Sequence, residues 1–451
     1  MRRLSGGWSL AIAVVIAGCQ YKAPNNSGDD DVPPDGPPPL PDAGPCPEVS
    51  KQCFTSGDTT VLQNCEAVGE NPIIETCAWG CLDDATPHCG ELRPSGNVLD
   101  VADLRPRPDD AMLLPITIAT PAEIDTATGE IVGIRTAGIG VISGIGFEAR
   151  PGGGVFRFKS LVINERLDVA NSNALAIVGL ESITVNAEVD LSRCGGGQVS
   201  PGGFLGGAPN QPGGGGTGGG AQGAGGNDDS SGGGGGANAG NGGTGGGGAT
   251  QAKPAGGTAF GDAAITALVG GGGGGGGGNT GGRGGNGGGA IQLISNGTIS
   301  ITGEGSINAG GCGGQAGQNQ RAAGGGGAGG AILIEAPTVS LAAEAVVAAN
   351  GGGGGGGDQD GVNGQDARSS ATAATGGNPG SKGGRGGDGA AADVFAGAAG
   401  NDDDNGGGGG GGVGWIRFDT RTGTITIDQL AIVSPTISLG SPASVSTADL
   451  E

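Results

Sequence analysis

The sequence predicts an all-β chain: a parallel β-helix of about three short strands per coil over residues 97–440, with long glycine-rich excursions from one side. Three observations predict it. Short aliphatic triplets recur in sets of three. Long glycine runs fall at the same place in each set. Aromatic residues make up only 3% of the chain, too few for a wide core.

The first set is Phe156-Arg157-Phe158, Leu161-Val162-Ile163 and Leu167-Asp168-Val169. The second is Leu175-Ala176-Ile177, Ile183-Thr184-Val185 and Val189-Asp190-Leu191. The third runs Ile291-Gln292-Leu293, Ile299-Ser300-Ile301 and Ile307-Asn308-Ala309, and the fourth Ile332-Leu333-Ile334, Val339-Ser340-Leu341 and Val346-Val347-Ala348. The fifth is Ile416-Arg417-Phe418, Ile425-Thr426-Ile427 and Leu430 to Val433. In most triplets two apolar residues flank a polar one, the period of two that buries alternate side chains of a strand. One set alone has no partners for its backbone. Stacked sets pair strand on strand and close a narrow aliphatic column. An earlier coil is expected near 115, because Ile124 to Ile131 and Phe418 to Ile425 share an Asp-Thr-x-Thr-Gly corner in which Asp accepts turn amides and Gly supplies positive φ. Plain hairpins are the alternative arrangement, and residues 441–451 read as a polar tail.

The glycine-rich insertions span 195–289, 310–330 and 349–414, each leaving after a third strand and returning at a first. Thr280, Arg283 and Asn286 are separated by Gly-Gly pairs, as are Lys382, Arg385 and Asp388. An extended helix of three residues per turn puts such side chains on one edge and lets glycine edges pack together. Flexible coil is the alternative.

The N-terminal region has another character. Arg2 and Arg3 precede an apolar run, Trp8 to Ile16, too short to span a membrane. Residues 1–18 thus read as an export signal. Residues 19–45 are acidic, proline-rich and unable to bury a core, a tether spanning about 80 Å at roughly 3.1 Å per residue. Residues 46–90 hold Cys46, Cys53, Cys65, Cys77, Cys81 and Cys89. Six cysteines this dense in an exported chain read as three disulfides, with fifteen pairings open. A zinc site is the rival, but the spacing contains no C-x-x-C. His88, the only histidine in the chain, reads as a loop residue.

Ile16-Ala17-Gly18-Cys19 resembles the lipobox of bacterial lipoproteins. That resemblance implies lipidation of Cys19 and cleavage before it. Gln20, in place of the family's inner-membrane aspartate, points to the outer membrane or cell surface. Residues 195–415, with Gly326-Gly327-Ala328-Gly329-Gly330, resemble the glycine-rich surface proteins described as PE-PGRS-like, for which the implied role is mostly surface display. The helical head of those proteins is replaced here by the lipobox and cysteine module.

The formal charge is −23, and loss of Arg2 and Arg3 with the signal takes it to −25. Such a chain repels nucleic acid and anionic lipid. Cys194 and Cys312 each follow the start of a third triplet by five residues, so stacking brings them within disulfide reach. Asp358, Asp360 and Asp366 form a loose calcium-loop pattern without its closing Glu. Asp168 and Asp190 are expected to stack outward on neighbouring coils, a carboxylate pair of the kind glycosidases use, or a solvated acidic face. No Ser-His-Asp or Cys-His set is available around the one histidine, and no G-K-[ST] follows the glycine runs. The expected protein is a non-enzymatic structural or adhesive lipoprotein without a cofactor, anchored through its lipid and meeting matrix, polysaccharide or other cell-surface molecules. The alternatives are a carbohydrate-binding or polysaccharide-cleaving β-helix and a calcium-stabilised matrix protein.

Overall fold

The computed structural model describes residues 45–56, 59–195 and 197–451. The export signal, the lipobox with Cys19 and nearly all of the tether lie outside the described residues. The described chain is nearly all β, with large parallel sheets.

The cysteine module is a three-stranded antiparallel sheet of Ser50–Ser56, Thr59–Cys65 and Ile73–Thr76, followed by the pair Cys81–Leu82 and His88–Cys89. Disulfides join Cys46 to Cys65, Cys53 to Cys81 and Cys77 to Cys89. So small a sheet buries little apolar surface, and cross-links supply what its core cannot.

The aliphatic triplets stack in three columns. In the first, Phe156, Ile177, Leu293, Ile334, Phe418 and Val445 follow one another in parallel register. In the second the ladder is Ile118, Ile163, Val185, Ile301, Leu341 and Ile427. In the third it is Ala122, Leu167, Val189, Ile307, Val347 and Val433. Most inward residues of these columns share one continuous buried core. Each fully buried aliphatic contributes about 1.5–3 kcal/mol relative to exposure.

Three details differ from the sequence expectation. In the first two sets the first and second triplets fuse into single strands, Gly153–Ile163 and Ala174–Val185. They are separate strands in the later sets, parted by Asn296-Gly297 in the third, by Pro337 in the fourth and by residues 421–425 in the fifth. The expected polar tail is partly strand: Ala443–Thr447 pairs parallel with Trp415–Thr420. Ser444 and Ser446 lie beside Arg417 and Asp419, on the face opposite Ala443 and Val445. Finally, the two Asp-Thr-x-Thr-Gly corners lie in different columns. Asp125 caps the first, accepting from the amides of Ala127 (2.8 Å) and Thr128 (2.9 Å). In the second, Thr420 takes that role, its hydroxyl accepting from the Thr424 amide at 3.0 Å, while Asp419 holds Arg417.

One end of the stack is closed by antiparallel strands, Gly140–Ile142 and Ile145–Arg150. Beneath them Arg135 is 2% exposed. Its guanidinium donates to the carbonyls of Gly129, Thr136, Gly138, Gly140 and Ile145 and lies 5.5 Å from the Phe147 ring centre. Buried without a counter-ion among the described residues, it is satisfied by carbonyls, although burial lowers its pKa.

The glycine insertions are ordered. Gly233, Gly234 and Gly235 donate to Ala323, Ala221 and Gly243, three different neighbours; Gly236 then returns to the first, at Gly326. That is the three-residue period of an extended helix bonded on all sides. All three insertions interlock: Gly325 donates to Gly275, Gly326 to Gly409, and Gly355 to Gly324. Close approach explains the composition, because a Cβ on Gly325 would lie 2.0 Å from the Gly234 carbonyl oxygen. Between Lys382, Arg385 and Asp388 the glycines are buried, while the three side chains keep solvent exposure.

Residues 92–104 and Trp79 of the cysteine module cover the outer face of the first column. Leu92, Leu99, Leu104 and Trp79 pack there on Val155, Ala176, Val178 and Ile294.

Candidate functional site

The outer face of the third column carries the site. Alternation along each short strand turns its middle residue outward, and parallel register places Glu123, Asp168, Asp190 and Asn308 in one ladder. Arg166, from the turn before the third strand, reaches across rungs. It donates to Asp168 at 2.8 Å and also pairs with Glu188 and Asp190. Burial lowers the Arg166 pKa, but the charges of Asp190, Glu188 and Asp168 outweigh burial and hold its proton more tightly than usual.

Asp190 is further fixed by the Ser192 hydroxyl at 2.6 Å and the Asn308 amide at 3.2 Å. A loop of the last glycine insertion closes over this face, where Ser369 donates to Glu188 at 2.9 Å. Arg193 donates to the Val169 carbonyl at 2.9 Å and to Glu123 at 2.7 Å. Arg166, Asp168, Glu188, Asp190, Arg193 and Asn308 line an open trench of about 820 Å³, with Arg368 at its wall. Through Arg193 and Gln198 the trench runs into a smaller hollow beside Asp125 and Asn171. Through Cys194 and Asp366 it runs into another beside Arg283, Asn286, Gln315 and Asn363. Asn286, buried, anchors the glycine slab there, accepting from Gly206 and donating to the carbonyls of Arg193 and Gln198.

Cys194 and Cys312 form a disulfide at this junction, with Cα atoms 5.2 Å apart. It ties the end of one third strand to the start of the next insertion. Asp168 and Asp190 do stack, as register requires, but a guanidinium bridges them. The calcium pattern does not assemble. Asp366 accepts from the Gly313 amide at 2.7 Å on the trench wall. Asp358 instead accepts from the Lys382 amide at 2.9 Å and the Ser381 hydroxyl at 3.2 Å. The carboxylate of Asp366 lies near the sulfurs of Cys194 and Cys312, but both sulfurs are committed to their bond. His88, expected in a loop, instead lies in the short strand His88–Cys89 opposite Leu82, its ring nitrogen 3.0 Å from the Thr86 carbonyl.

Glu335 has no counterpart in the sequence reading. It faces outward from the first column, yet residues 92–104 cover it completely. Burial pushes its carboxyl up to about 7, against hydrogen bonds from the Ser95 amide at 3.0 Å and the Gln292 amide at 2.6 Å. Asp419 adds to the rise and Arg417 opposes it. An acidic residue among Ile332, Leu333 and Ile334 was the available signal.

The chain matches no protein-family model, no curated protein and no solved structure.

Proposed function

We propose that this chain is a lipid-anchored structural and adhesive protein of the outer membrane or cell surface, built on a parallel β-helix. The observation that carries the reading is the interlocking of three separate insertions into one hydrogen-bonded glycine slab against the columns. Such a slab is rigid without a wide apolar core, and it projects a large polar surface. The β-helix reading is supported by the chain visiting first, second and third columns in the same order through successive sets. Lipid attachment at Cys19, followed by the tether, would hold the body away from a bilayer, since two or more acyl chains anchor stably.

A non-catalytic role fits the trench. Its carboxylates are bridged by Arg166 or engaged by amides and hydroxyls, whereas acid–base work needs two groups with separated proton affinities. The test is fractionation and protease shaving of intact cells. Wild-type protein should partition with membranes and be cleaved from outside, and Cys19→Ser should be exported but soluble. Membrane retention of Cys19→Ser, or full protection from external protease, defeats the reading.

A further inference from the structure

The trench has a chemistry that selects among partners. Its side chains are mostly polar, namely carboxylates, guanidinium groups, amides and hydroxyls, set among glycine backbone and a few small or aliphatic residues such as Ala367 and Leu205, with no aromatic ring among the described lining residues. A pocket for an apolar ligand is lined mainly by hydrophobic and aromatic side chains. The opposite composition here calls for a ligand dense in hydroxyl groups.

Shape adds length. The ladder Glu123, Asp168, Asp190 and Asn308 covers about 14 Å at the ~4.8 Å spacing of adjacent strands. The hollow beside Asn363 and Arg283 extends the same channel along the slab. That length exceeds one sugar and suits an extended chain of several.

Charge narrows the class. The chain as a whole carries −23. Along the trench and its two hollows the carboxylates of Glu123, Asp125, Asp168, Glu188, Asp190 and Asp366 lie among Arg166, Arg193, Arg283 and Arg368, so most of the local negative charge is offset. A polyanion meets the repulsion of the whole chain. A metal ion meets Arg166 in the middle of the carboxylates. An uncharged polyol meets neither.

The polar groups are also preorganised. Asp190 is held by Arg166, Ser192 and Asn308, so little side-chain freedom is lost on binding. Arg368 makes no ion pair or side-chain hydrogen bond among the described residues, leaving its donors for a ligand.

We propose that the trench binds an uncharged polysaccharide chain, its hydroxyls bridging the carboxylate–guanidinium ladder. This deepens the adhesive reading above by naming the ligand class. It is tested on purified protein, so its outcome is separate from where the protein resides in the cell.

The experiment is affinity electrophoresis of the disulfide-intact chain. Gels contain a neutral polysaccharide (mixed-linkage β-glucan, dextran or mannan) or an acidic one (alginate or hyaluronan). At least one neutral polymer should retard the protein, with little change on raising salt, and neither acidic polymer should do so. Arg368→Ala removes no ion pair or side-chain hydrogen bond among the described residues and should weaken retardation about tenfold, the value of a charge-assisted hydrogen bond. Asp168→Ala should weaken it further, whereas Arg105→Ala, paired with Glu91 outside the trench, should leave it unchanged. Unaltered melting of Arg368→Ala keeps the result independent of folding. No retardation by any neutral polymer, stronger retardation by an acidic one, or equal effects of Arg368→Ala and Arg105→Ala would overturn the proposal.

Discussion

In the aliphatic columns each strand bonds to a strand above and one below, and the third direction is filled by side chains such as Ile177, Val185 and Ile307. In the glycine slab the third direction is filled by more backbone: Gly233, Gly234 and Gly235 each donate to a different neighbour. The columns draw stability from apolar burial and need Cβ branches. The slab draws it from dense hydrogen bonding and close contact, and excludes them. A wide apolar core can be omitted where a backbone satisfies itself on every side. The cost is the entropy of ordering glycine, the most flexible residue.

The disulfide between Cys194 and Cys312 sits where the two regions meet, and breaking it has the largest expected effect. The sequence separation is 118 residues. Closing a loop of that size stabilises by about 4–5 kcal/mol in the chain-entropy account. The double variant Cys194→Ser/Cys312→Ser should melt lower. Amide exchange should accelerate across 195–289 before it does in the strands of the columns. Simultaneous acceleration of both would show that the regions unfold as one.

Within the columns, Ile307→Ala should cost about 2–5 kcal/mol. Ile307 is fully buried between Val189 and Val347 in the third column, with neighbours fixed by register and unable to close a cavity. Thermal denaturation measures it. A loss below about 1 kcal/mol would mean the column relaxes like a loosely packed core.

The outer face of the first column adds a pH dependence opposite in direction to that of the slab, where hydrogen bonds hold Asp229, Asp358 and Asp402 below the usual carboxylate range. Glu335 has its carboxyl raised from 4.5 to about 7, so the folded chain binds its proton more tightly than the unfolded chain does. The associated stability is complete below pH 4.5, declines as pH rises, and is gone above about 7. Its size is roughly 3 kcal/mol. Melting temperature should fall between pH 5 and pH 8 in the wild type, and Glu335→Gln should flatten that fall. An unchanged slope in the variant would place the dependence elsewhere.

Much of this comparison was legible in the sequence, for physical reasons that also explain the rest. The triplets and the three-residue glycine period report directly on which side of the backbone is packed. Cys194 and Cys312 were readable because stacking turns sequence phase into distance. Strand fusion across Lys159 and Glu181 was not legible: Gly179 stands inside the second fused strand, so a glycine between triplets does not by itself mark a break. Arg166 was missed because it acts across rungs from a turn, where no periodicity marks it. Glu335 was missed because its burial depends on a segment about 240 residues earlier, at Ser95. Residues 443–447 read as tail because a strand of Ser, Val and Thr lacks the aliphatic flanks of the other sets.

The smallest expected effect gives the sharpest view of the slab. Gly325→Ala adds one carbon where the Gly234 carbonyl oxygen lies at 2.0 Å, a contact with backbone that cannot rotate away. The expected loss is about 1–3 kcal/mol, the usual range for overpacking. Gly226→Ala is the matched control, because nothing lies within 4 Å of its added carbon and its φ is not positive. That change should stay within about 0.5 kcal/mol. If close packing dictates the glycines, the two melting curves separate. Were conformational freedom the reason, both substitutions would stiffen the unfolded chain alike, raising stability at either site. Coincident curves would therefore assign the slab's composition to backbone entropy and not to contact.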